Sequence, residues 1–132
     1  MIEKVPISTS KKQELVDISS QINKIVKKSN IKEGICIVYC PHTTAGITIN
    51  ENADPDVQSD ILQKLTSLIP QNEDYKHSEG NSDAHIKSSL LGNEKTIIIK
   101  NNNLLLGTWQ GIYFFEGDGP RQREIIIKII KG

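Results

Sequence analysis

The chain has 132 residues and a formal net charge of zero, which fits one domain around one hydrophobic core. Acids and bases are interspersed, so the basic stripe that nucleic-acid binding requires is missing, and DNA and RNA are not expected partners. Glu3 and Lys4 charge the N-terminus and no long apolar run follows it, so neither a signal peptide nor a spanning helix is expected, and a cytoplasmic protein is.

In chain order, Ile2 to Ser8 alternates and contains Pro6, which cannot donate to a ladder, and so reads as an edge strand. Ser10 followed by Gln13 has the form of a capping box. Leu15, Ile18, Ile22, Ile25 and Val26 then recur at helical spacing, so a first helix is expected to follow Ser10. Asn30 and Gly34 close that segment. Ile35 to Tyr39 is a continuous apolar run, as expected of a central strand covered on both faces. Cys36 and Cys40 lie on that strand roughly 13 Å apart at about 3.3 Å per residue, too far to bridge. They read as reduced packing residues, with Cys40 as a ligand beside His42 the alternative.

Pro41 opens the polar stretch PHTTAGITINENADPD, in which only Ile47 to Asn50 has strand character. Asp54 then caps a second helix with Pro55 at its first position, and its apolar stripe runs from Val57 to Ile69. The loop QNEDYKHSEGNSD leads to a short helix from about Ala84 to Leu91, capped by Ser82 or Asp83 and closed by Gly92. Lys95 to Lys100, Ile112 to Glu116 and Arg123 to Lys131 read as strands. NNNLLLGTWQG and EGDGPRQR between them are too rich in Gly, Asn and charge for regular structure. Without a βαβ rhythm, repeat or linker, the pattern predicts a single α+β domain over residues 1–132 with two longer helices and one short one.

All three histidines, His42, His77 and His85, fall in turn-rich polar segments. Three imidazoles can hold a metal with an open position or act near neutral pH, but their spacing implies no local chelating pair. His85 falls in the first turn of the short helix, where the macrodipole disfavours imidazolium. Asn81 and Asp83 read as caps of that helix, or Asp83 as a partner orienting His85. Glu116, Asp118, Arg121 and Arg123 place two carboxylates and two guanidiniums around glycines. Arginine forks grip phosphate, and the acids can hold magnesium or orient the arginines; a salt-bridged turn is the plainer reading. Thr43, Thr44, Asn50 and Asn52 offer donors to an oxyanion, although they are also ordinary turn residues. Trp109 reads as a core or interface residue, with exposure to a substrate the alternative. No Walker loop, G-x-S-x-G or G-x-G-x-x-G motif is present.

Three blocks in order, PHTTAGITINENADPDV, the stretch from His77 to Gly92 and LGTWQGIYFFEGDGPRQR, resemble the signature of the YjbQ family of secondary thiamine-phosphate synthase-like proteins. The resemblance covers nearly the whole chain. It implies a barrel-like α+β sandwich of mixed or antiparallel strands that assembles as a homotrimer, with a polar site near the histidine-bearing loops. His42, His77 and His85 match the family's histidines, a site for a divalent metal (zinc or magnesium) or an anion such as sulfate or phosphate. Glu116, Asp118, Arg121 and Arg123 match its final block. Gly117 departs from the pattern, where a bulkier residue is commoner.

The implied activity joins a pyrimidine pyrophosphate to a thiazole phosphate. Arg121, Arg123 and a divalent ion near Asp118 would neutralise the departing pyrophosphate, with Glu116, Asp118 and Arg121 at the centre of the chemistry. Two other readings stay open. One is a metal-dependent hydrolase of a phosphorylated metabolite, with Glu116 or Glu51 handling the proton of a bound water; the other is a non-catalytic trimer that captures a small anion.

Overall fold

The computed structural model describes residues Met1–Gly132. The elements in order are β1 (Ile2–Ser8), β2 (Glu14–Asp17), α1 (Ser19–Ser29), β3 (Glu33–Tyr39), β4 (Ala45–Glu51) and α2 (Pro55–Leu68), then α3 (Ser82–Leu91), β5 (Glu94–Lys100), β6 (Asn103–Leu104), β7 (Gln110–Glu116) and β8 (Gln122–Lys131). The fold is α+β. Five strands form one sheet in the order β1-β8-β3-β5-β6, and β2-β7-β4 form another. Every strand pair is antiparallel.

The inner face of the larger sheet carries Ile7, Cys36, Val38, Ile97, Ile99, Ile125, Ile127 and Ile129. It packs against Ala45, Ile47, Ile112 and Phe114 of the smaller sheet, against Ile18 just before α1 and against Ile22, Ile25 and Val26 of α1. Alternation along each strand produces this division, because successive side chains point to opposite faces. Cys36 and Cys40 are free, buried thiols; burial pushes Cys36 up to about 11 and Cys40 in the same direction.

The first helix begins later than the sequence pattern predicts. Glu14–Asp17 is a strand in register with Tyr113–Glu116 of β7, so pairing with a buried aromatic strand overrides the helical spacing of Leu15. Ser10 caps no helix: its N–H and hydroxyl both donate to the Glu14 carboxylate. Gln13 reaches across to Leu62 and Thr66 of α2. Asp54 caps α2 as expected, accepting from the Asp56 N–H at 2.9 Å, with Pro55 opening the helix.

Helix α3 starts at Ser82, and neither Ser82 nor Asp83 caps it; the Asn81 carbonyl accepts from Ala84 and His85 instead. With ten residues it nearly equals the eleven of α1, so the division into two longer helices and one short one does not hold. Asn103–Leu104 forms a short strand within a segment read as irregular. Trp109 is 62% exposed and outside the core.

Strand β3 is central, but its two faces differ. Cys36 and Val38 are buried, whereas Ile35 on the opposite face lies in register with Ile98 and Ile130, both substantially exposed. This outer apolar row is uncovered within one chain. No helix is long and apolar enough to cross a membrane.

Candidate functional site

Three segments far apart in sequence meet at one end of the two sheets. Pro41 ends β3 and turns the chain through His42, Thr43 and Thr44 into β4. The segment before α3 brings in His77, Glu79 and Asn81, the β7–β8 turn brings in Arg121, and the start of β8 brings in Arg123. Together with His85 these residues line a cavity of about 440 Å³ in which Pro41 is the one apolar side chain.

Hydrogen bonds explain why the segments stay together. The Gly117 N–H donates to the Thr44 carbonyl at 3.0 Å, tying the turn to the start of β4. A Cβ on Gly117 would lie 2.8 Å from that carbonyl oxygen and 2.9 Å from the Ala84 Cβ, so the missing side chain lets the turn approach both β4 and α3. The Asn81 amide donates to Asp118 Oδ2 at 2.9 Å, fastening the start of α3 to the same turn.

Arg123 and Glu116 form a buried ion pair beneath the cavity. Arg123 Nε donates to Glu116 Oε1 at 2.8 Å, Nη2 donates to the other carboxylate oxygen, and Nη2 also donates to Thr44 Oγ1 at 2.9 Å. The Glu116 oxygens further accept from the Thr9 hydroxyl and the Asp118 N–H. Burial alone would raise the Glu116 carboxyl, yet these hydrogen bonds hold it below its ordinary value. Glu116 is 0% exposed, so its carboxylate orients Arg123 rather than facing the cavity. Of the three nitrogens of Arg123, only Nη1 has no protein partner.

Asp118 is likewise engaged. Its Oδ1 accepts from Lys12 Nζ at 2.7 Å, and Oδ2 accepts from both Asn81 and Arg121 Nη2. Burial opposes ionisation here too, but the bonds from Lys12, Asn81 and Arg121 bring its carboxyl down to about 2. Lys12, Arg121 and Arg123 thus meet the two carboxylates Glu116 and Asp118, leaving one positive charge uncompensated at the base of the cavity. Glu79 sits on the exposed rim, 3.9 Å from His77.

His42 is half-buried, its ring edge-on to Phe114. Pro41 cannot extend the β3 ladder, and the imidazole takes over: Nε2 lies 3.0 Å from the Glu124 N–H and 3.1 Å from its carbonyl. Burial and the Arg123 charge lower the His42 pKa, so the neutral ring accepts from the Glu124 N–H at Nε2, and Nδ1 has no partner within the chain. The rings of His77 and His85 stand edge to face with centroids 5.4 Å apart.

All three histidines therefore share one cavity, together with Thr43, Thr44, Arg121 and Arg123. The donor set fits a metal ion poorly within one chain: no group of three or more His, Cys, Asp or Glu side chains is arranged to hold one. Asn50 is not part of the cavity; it lies toward the far end of β4, its Oδ1 accepting from the Glu51 N–H. Asn52 bonds Asp17 there, and Glu51 is equally remote from the lining. Asp83 pairs with Lys87 Nζ at 2.9 Å in the interior and does not orient His85. Thr9 and Lys12 are supports that the sequence did not mark, since they precede β2 by what looks like an ordinary helix start.

The fold and cavity define an α+β protein whose polar site lies where the ends of both sheets meet the start of a helix. The chain belongs to the UPF0047, YjbQ-like family, whose model matches residues 3–132. It is 59% identical over 130 residues to a UPF0047 protein of Methanocaldococcus jannaschii, covering 98% of this chain and 94% of that one. Identity to the UPF0047 protein YugU of Bacillus subtilis is 47%, covering 98% and 99%. A crystal structure of a YjbQ/UPF0047 protein from Clostridium acetobutylicum superposes with a TM-score of 0.95 at 55% identity, covering 97% of this chain and 99% of that one. A Sulfolobus solfataricus protein described as of unknown function gives 0.96 at 36% identity, covering 100% and 97%.

Proposed function

We propose that the cavity binds a small phosphorylated metabolite and that the protein acts on it as a thiamine-phosphate synthase-like enzyme. The observation that carries the reading is the wall itself: two arginines and three histidines against one lining carboxylate, Glu79 at the exposed rim, with Glu116 and Asp118 behind them already committed to ion pairs. Such a site favours an anion because its donors are fixed before the ligand arrives. In the transfer, the thiazole ring nitrogen attacks the methylene carbon bearing the pyrophosphate, the carbon–oxygen bond breaks, and pyrophosphate leaves with the electron pair. Arg121 and the open nitrogen of Arg123 neutralise that charge. No strong base is needed, which suits a site whose buried acids, Glu116 and Asp118, are engaged and whose His42 is neutral.

Arg121 supplies the direct test, since its half-exposed side chain can be removed without opening the core. Wild-type protein is expected to bind pyrophosphate in calorimetry and to form thiamine phosphate from the two substrates. Arg121→Ala is expected to lose at least tenfold in affinity, about 1.4 kcal/mol, and to lose turnover with it. Unchanged binding and turnover in a folded Arg121→Ala protein would sink the assignment. Binding without product would leave a small-anion capture protein.

A divalent ion held by His42, His77 and His85, serving a hydrolase, has one observation in its favour, the close pairing of the His77 and His85 rings. Near-stoichiometric zinc in untagged protein, lost in a His42→Ala, His85→Ala double variant, would replace the anion reading. The homotrimer is supported by the uncovered row of Ile35, Ile98 and Ile130, which a second copy of the chain can bury.

A further inference from the structure

Beside the arginine-lined cavity lies a second one of about 430 Å³, and the two share His42, Thr43 and His85. Their other walls differ in kind. The first adds Arg121 and Arg123, whereas the second adds Ala45, Ser88, Ser89, Gly92 and Asn93, none of them ionisable. The Lys95 ammonium borders this chamber at Gly92 without lining it, held by the Leu91 and Glu94 carbonyls.

Helix α3 produces this change of character. His85, Ser88, Ser89 and Gly92 stand at i, i+3, i+4 and i+7 and share one face. His85 therefore stands between the chambers, and Ser89 lies about 6 Å further along the helix axis at 1.5 Å per residue. The Ser88 and Ser89 hydroxyls donate to the Ala84 and His85 carbonyls, which leaves their oxygens as acceptors. Neither the exposed side-chain amide of Asn93 nor the Thr43 hydroxyl bonds within the chain, so both can serve a ligand as donor and acceptor.

We infer that the two cavities hold two parts of one ligand, a phosphate monoester whose uncharged body carries hydroxyl or ring-nitrogen groups. The phosphate sits by Arg121 and Arg123, and the body lies across His42 and His85 against Ser88, Ser89 and Asn93. This rests on the phosphate reading above and adds the residues that select the body. Selection there works through hydrogen bonds: a body that lacks them leaves the donors and acceptors of the second chamber unpaired, which costs affinity.

Calorimetry with inorganic phosphate, glycerol phosphate, pyridoxine phosphate and free glycerol tests the assignment. In the wild type at least one of the two esters is expected to bind tenfold or more tightly than inorganic phosphate, with free glycerol showing no measurable binding. Ser89→Leu combined with Asn93→Leu, at positions exposed in the chain, is expected to bring ester affinity down to that of phosphate while phosphate binding stays unchanged. Asn93→Leu alone repeats the test if the pair fails to fold, and its expected loss is at least threefold for the ester only. Esters that bind no better than phosphate, or variants that leave ester binding intact or weaken phosphate equally, overturn this inference and leave the phosphate site standing. A wild type that binds neither phosphate nor ester overturns both.

Discussion

Arg121 and Arg123 stand two positions apart on the chain and in opposite surroundings. Arg123 is 7% exposed and locked to Glu116 in the interior, while the Arg121 side chain is 51% exposed and reaches only Asp118. Removing one partner of a buried pair strands the other charge, so Arg123→Ala is expected to destabilise the protein by about 3–5 kcal/mol. Arg121→Ala is expected to cost less than about 1 kcal/mol, as for an exposed pair; urea denaturation of both variants checks the contrast. The sequence marked both arginines and both acids as one functional group of residues. It did not separate the buried Arg123–Glu116 pair, which offers the cavity a single nitrogen, from the half-exposed Arg121, because burial depends on β7 and β8 meeting Thr9 and Thr44. The same holds for His42, whose Nε2 continues a ladder with a strand 82 positions away.

Among the elements, α2 was legible because its signals are local: Asp54, Pro55 and the apolar stripe all act within a few residues. The stretch after Ser10 departs from its helical pattern because its decisive contacts are not local. Ser10 and Gln13 have the form of a cap, but β7 offers Leu15 and Val16 a buried partner strand, and pairing prevails. The turn between β7 and β8 carries the departure at Gly117, and its physical consequence is close approach to Thr44 and Ala84. Gly117→Ala is expected to push the turn away from α3, costing about 1–3 kcal/mol as overpacking does. Phosphate affinity should fall as well, since Asn81 and Asp118 would no longer meet; thermal melts and calorimetry on one preparation read both effects.

For the whole molecule, the titrating groups set the response to acid. The Asp118 carboxyl lies below its ordinary 3.8, at about 2, so the unfolded chain binds a proton at higher pH than the folded one. Its contribution, on the order of 2 kcal/mol, is complete above pH 3.8 and disappears as pH falls toward about 2. Glu116 acts in the same direction. His42 is kept neutral in the fold, so its contribution is present above 6.5 and declines as pH falls below that value. Denaturation midpoints are expected to decline gently below pH 6.5 and steeply in strong acid, and Asp118→Asn should flatten the second phase.

Assembly belongs to this scale as well. Light scattering after gel filtration is expected to give a trimer for the wild type and a smaller species for Ile35→Glu combined with Ile98→Glu. An unchanged trimer in that variant would place the interface on another face. The continuous apolar run Ile35 to Tyr39 had implied a strand covered on both sides, and one chain covers only the side of Cys36 and Val38.

The sequence by itself determined the α+β class, most of the strands, the capped helix α2 and the three polar segments that hold the histidines and arginines. Periodicity, proline placement and capping residues act over a few positions, and so they can be read directly. Only the tertiary structure decided that the three segments share one cavity, that Glu116 and Asp118 are committed to cations, that Asn50 lies apart, and that Glu14–Asp17 is a strand. Most of these depend on contacts between residues far apart on the chain, such as Lys12 with Asp118 and Glu14–Asp17 with Tyr113–Glu116, where pairing and burial rather than local preference choose the outcome.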